Sequence, residues 1–107
     1  MPLFIAVHKW KPEEEIAVIG EMAAAFTAYP EGKTPEGAEL YATYMTGAQG
    51  AYCVWKAPNG AVLERLFDQH LPTLKKGTEF VPVIQSFPPT IEWDVSLYQA
   101  IVKMASK

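Results

Sequence analysis

The sequence predicts one α+β domain: a four-stranded antiparallel sheet with helices packed against it and a further helix at the C-terminal end. Three observations carry this reading. Short apolar runs of strand character alternate with stretches of helical periodicity in the order β-α-β-β-α-β. Segments rich in Pro and Gly fall between them as breaks. The chain has 107 residues, half of them hydrophobic and a fifth charged, which suits a single core-bearing domain over residues 1–107.

Residues 3–10 (LFIAVHKW) are apolar and partly β-branched and stop at Lys11-Pro12, which marks a strand. Apolar residues on both of its faces favour a central position. Pro12 suits a first helical turn, and Glu13, Glu14 and Glu15 complement the dipole there. Ile16, Ile19, Ala23 and Phe26 follow at helical spacing, so a helix is expected over 12–28. The three adjacent glutamates resemble a cation site only in one dimension. On a helix they diverge by about 100° each and face solvent.

Residues 29–38 (YPEGKTPEGA) form a loop, 39–46 (ELYATYMT) a second strand, 47–50 a hairpin turn and 51–57 (AYCVWKA) a third strand. Pro58-Asn59-Gly60 breaks the chain, with Asn59 as the cap of a second helix over 60–74. Leu63, Leu66, Phe67, His70 and Leu74 form its stripe, and Lys75-Lys76-Gly77 ends it. Residues 79–87 (EFVPVIQSF) form a fourth strand, which Pro82 consigns to an edge or a bulge. After Pro88-Pro89, Thr90 caps a last helix over 91–105, with Trp93, Leu97, Ala100, Ile101 and Met104 on one side.

This is the split βαβ, ferredoxin-like order. Right-handed crossovers give the strand order 4-1-3-2 with both helices on one face. The other face is bare, yet both parities of the first strand are apolar: Leu3, Ile5 and Val7 against Phe4, Ala6 and Trp10. A patch of that kind calls for a second copy and an isologous homodimer.

Charge and cysteine usage narrow the partners. The net charge is −3, from 12 acids and 9 bases, and Arg65 is the only arginine. Lys75-Lys76 is the only adjacent basic pair, so the phosphate-binding clusters of nucleic-acid proteins are missing. No apolar run approaches the about 18 residues that cross a membrane. The start MPLFIAVHKWKP has none of the parts of a signal peptide. The single Cys53 has no internal disulfide partner, which suits a reducing compartment. The expected setting is the cytoplasm.

The element order, the length and the two-sided strands resemble the dimeric α+β barrel superfamily. More narrowly, Trp10-Lys11-Pro12, Pro35-Glu36-Gly37 and EFVPVI at 79–84 resemble a family of small domains of unknown function. Tyr52–Pro58 (YCVWKAP) and the helix ending near His70 resemble a related nickel-binding-type family. The resemblance implies that two protomers join open sheet faces around a cavity. In that superfamily such cavities serve ligand binding, cofactor-independent monooxygenation, isomerisation or haem chemistry.

Few residues carry chemistry. If the face of Ala6, His8 and Trp10 points into a dimer cavity, His8 is a base or ligand there. Otherwise it is a strand-end histidine bonded to a neighbour. Cys53 and Trp55 share a face of the third strand, and Tyr44 lies beside it. The candidate ligand-binding set is therefore His8, Trp10, Tyr44, Cys53 and Trp55, mostly apolar with polar tips. Each also has a plain reading as core. His8, Cys53 and His70 are the possible metal ligands, with His70 on the apolar helix stripe and expected on the side away from the cavity. Asp68 and His70, two apart on a helix, face different directions. No hydrolase, redox, zinc or phosphate-loop motif is present. The expected function is a homodimeric ligand-binding or accessory domain with no cofactor. The alternatives are a monooxygenase or isomerase using His8, and a nickel-type metal protein.

Overall fold

The structure, a computed structural model, describes residues 2–84 and 96–105. Strand β1 (Leu3–Lys9) leads through a 3₁₀ turn (Pro12–Glu14) into helix α1 (Glu15–Ala28). Strands β2 (Glu39–Gly47) and β3 (Gly50–Lys56) form a hairpin. Helices α2 (Gly60–His70) and α3 (Pro72–Lys75), strand β4 (Thr78–Val83) and helix α4 (Ser96–Ala105) complete the order. The sheet runs β2-β3-β1-β4, and every pairing is antiparallel. This is the expected strand order read from the other edge, and the α+β arrangement is compatible with a ferredoxin-like one.

Local chemistry explains the boundaries. Asn59 caps α2 by accepting from the Val62 amide at 3.1 Å. The Gly47–Gly50 turn holds Ala48 and Gln49 at φ of 48° and 56°, the left-handed pair that matches the twist of a tight hairpin. Pro82 lies in β4, an edge strand, where its missing N–H costs no ladder bond on the open side.

Three expectations are corrected. The helix expected from Pro12 opens as a 3₁₀ turn before α1 begins. The single helix over 60–74 is two helices. Pro72 disfavours helical backbone at Leu71, which adopts φ −136° and ψ 50°, and the chain restarts at Pro72. The Glu21 carboxylate from α1 then accepts the Thr73 amide at 3.0 Å and the Leu74 amide at 3.1 Å, serving amides that Pro72 left at a helix start. Strand β4 ends at Val83. Residues 85–87 of the expected strand and 91–95 of the expected last helix, Trp93 included, lie outside the described residues.

The core lies between one face of the sheet and helices α1, α2 and α3. Phe4, Ala6, Cys53 and Trp55 from the sheet meet Val18 and Met22 of α1, and Leu63, Leu66 and Phe67 of α2. Gly77 lets the turn before β4 close on β1. A Cβ there would overlap the Lys9 carbonyl, and the Lys9 amide donates to Gly77 at 2.9 Å. The opposite sheet face carries Ile5 and Val7 of β1, Tyr52 and Val54 of β3, Tyr44 of β2 and Val81 of β4, with Leu3 buried at the end of its row.

Candidate functional site

The alternation of β1 decides where His8 points. Phe4, Ala6, His8 and Trp10 are buried toward the helices, while Ile5 and Lys9 are exposed. The His8 ring stacks on Phe67 with centroids 5.7 Å apart and an 18° interplanar angle. Its proton can be assigned from its partners. The Thr78 hydroxyl donates to the Leu74 carbonyl at 2.7 Å. It is therefore left to accept from His8 Nδ1–H, also at 2.7 Å. The neutral ring then keeps a bare Nε2, which has no hydrogen-bond partner. Burial pushes the imidazole down to about 4, so it is neutral near neutral pH.

Cys53 is buried on the same face, opposite Ala6 of β1, with Sγ 3.4 Å from the Thr43 hydroxyl. Burial pushes its thiol up, and the Thr43 hydrogen bond works weakly in the other direction. A thiol so placed is a small hydrophobe rather than a nucleophile. Trp10 and Trp55 are buried too, and the indole N–H of each lacks a partner. An unmet buried N–H costs about 1–3 kcal/mol, so each marks a place where the packing is chemically incomplete.

Tyr44 is 62% exposed, and it pairs with Tyr52 on the opposite face. The five expected cavity residues therefore do not line one cavity. Four lie under the helices and one on the open face, because the row that begins at Phe4, rather than the row of Ile5, is the one the helices cover. His70 ends α2, where Nε2 lies 3.3 Å from a Glu36 oxygen and the ring meets Tyr29 edge-on at 5.7 Å. It is thus a helix-end histidine held by the 29–38 loop. His8 and His70 belong to separate clusters. Among the described residues no three His, Cys, Asp or Glu side chains come together as a cation site.

Of the expected set, Trp55 alone reaches an apolar crevice on the helix side of the sheet. The crevice has a volume of about 20 Å³, and Phe26, Tyr29, Leu40, Leu66 and His70 stand with Trp55 around it. A wider groove of about 400 Å³ shares Phe26, Tyr29 and Leu40 and adds Glu31 and Tyr41. Beside His70, Glu36 keeps its second oxygen buried and without a partner. Sequence reasoning placed Phe26 and Leu66 on helix stripes but did not bring them to one site. Tyr29 and Glu36 sit in a loop with no periodicity to flag them.

The chain matches no protein-family model, no curated protein and no solved structure. The fold and the crevice therefore stand as the grounds for a functional reading.

Proposed function

We propose that the chain works as a homodimeric ligand-binding or accessory domain, in which two copies join through the open sheet face. The observation that carries this is the apolar row on that face: Ile5, Val7, Tyr44, Tyr52, Val54 and Val81. Two surfaces compete to cover it, a second sheet and the chain's own α4, whose Ile101, Val102 and Met104 are 55%, 67% and 73% exposed.

Size separates them. Four strands spaced about 4.8 Å apart and rising about 3.3 Å per residue present a face of roughly 400 Å². A ten-residue helix, about 15 Å long and 10 Å wide, covers roughly 150 Å². One helix leaves most of the face wet, whereas a second sheet matches it. Stable interfaces bury about 800 Å² per partner, so the flat footprint of the sheet falls short by itself and the proposed dimer needs further area from outside the sheet. This arrangement accords with the resemblance to the dimeric α+β barrels. It assigns no catalytic role to His8, which lies under α2.

Sedimentation equilibrium of the full chain and of Ile5→Asp tests the reading. The expected result is a dimer at micromolar concentration for the parent and a folded monomer for the variant. A parent that sediments as a monomer contradicts it.

A further inference from the structure

We propose that two copies of the chain join about a two-fold axis running along the strands between β1 and β3, so that the Tyr44 hydroxyl of each copy donates to the partner's Glu79 carboxylate. The proposal rests on the dimer reading above and gives that interface a register and a pair of residues that specify it.

The strand pairings lay the open face out in rows. Ile5 lies opposite Val54 and Val81, and Val54 lies opposite Ala42, so this row is apolar from edge to edge. The next row is Tyr44, Tyr52, Val7 and Glu79, with a hydroxyl at one edge of the sheet and a carboxylate at the other. Lys9 follows Val7 on the same face, and Lys56 lies opposite Leu3. Leu3 is 4% exposed and Ile5 36%, so a partner makes its contact on the rows of Ile5 and Val7 rather than on that of Leu3.

A face that packs on a copy of itself does so about a two-fold axis, and its own charges select the axis. An axis across the strands exchanges the two rows. Glu79 then lies over the partner's Val81, a carboxylate desolvated against an apolar side chain, and Lys9 is carried toward the partner's Lys56. An axis along β1 itself stacks Lys9 on the partner's Lys9 and leaves β2 with nothing over it. An axis along the strands between β1 and β3 keeps the rows, and exchanges β1 with β3 and β2 with β4. Ile5 then packs on the partner's Val54, Ala42 packs on the partner's Val81, and Tyr44 reaches the partner's Glu79. Every strand is covered, and the only carboxylate of the two contact rows meets a donor, twice over by symmetry.

Within one chain Tyr44 and Glu79 stand at opposite edges of the sheet, three strand spacings or about 14 Å apart, so coupling between them is intermolecular. Both side chains are exposed in the single chain, so neither Tyr44→Phe nor Glu79→Ala removes core packing. Each variant breaks both copies of the pair. Its homodimer is expected to have a dissociation constant about a hundredfold above that of the parent, about tenfold per hydrogen bond. A mixed dimer of the two variants keeps one intact Tyr44–Glu79 pair and lacks both halves of the other. It is expected to be about tenfold tighter than either homodimer, and so to exceed half of all dimers in native mass spectrometry of an equimolar mixture. A mixed dimer at the statistical half overturns the register, as does parent-like affinity in either single variant. Sedimentation of the parent separates the two readings: a parent dimer whose variants mix statistically overturns the register alone, and a monomeric parent overturns the dimer reading itself.

Discussion

His8 is buried as a neutral ring between Phe67 and the Thr78 hydroxyl, and this ties stability to pH. Its folded-state value, about 4, lies below the ordinary 6.5. Above pH 6.5 the ring is neutral in both states and the full stability is present. As pH falls from 6.5 toward 4, the unfolded chain takes up the proton first, and stability is lost on the order of 3 kcal/mol. Urea melts between pH 7 and 4 should show this loss, and His8→Gln should flatten it over the upper part of that window, before the carboxylates titrate. An unchanged slope in the variant would place the pH dependence elsewhere. Gly77 is the second residue with a sharp expectation. Because a side chain there runs into the backbone of β1, Gly77→Ala should cost about 1–3 kcal/mol in urea or thermal melts. A neutral result would mean that the β1–β4 junction shifts freely.

At the scale of elements, α4 is the piece whose partner matters most. Its Ile101, Val102 and Met104 are exposed, and a helix of ten residues is marginal in water unless it packs. Truncation after Pro89 should therefore weaken self-association in sedimentation while the melting profile of the remaining sheet and helices changes little. Unchanged dimer affinity would remove α4 from the interface. The elements also show what the sequence made legible. The strands, the Asn59 cap and the edge position of β4 followed from local signals: alternation, a capping residue and a proline in a strand. The break at Leu71 was equally local, since Pro72 announces it, but the apolar stripe running through to Leu74 masked it. The site was less legible for a different reason. Both parities of β1 are apolar, so periodicity alone could not say which row the helices cover. That choice moved His8, Trp10, Cys53 and Trp55 from an expected dimer cavity into the core. The crevice depends on Tyr29 and Leu40 meeting Leu66 across long sequence separations, which no spacing rule reports.

At the scale of the whole molecule, the sheet has one face covered by α1 and α2 and, among the described residues, one whose apolar centre at Ile5, Tyr44, Tyr52 and Val81 is exposed, with Lys9, Lys56 and Glu79 around it. In the proposed reading the open face is where two copies join, and the crevice beside Trp55 lies on the other side of the sheet. In the proposed dimer the cover of the open face is a second chain. An isotope-filtered NOE experiment on a one-to-one mixture of labelled and unlabelled chains reads this directly. Intermolecular NOEs to the methyl groups of Ile5, Val7, Val54 and Val81 are expected. NOEs from those methyls that arise only within one chain, to Ile101 and Met104 of its own α4, would contradict it.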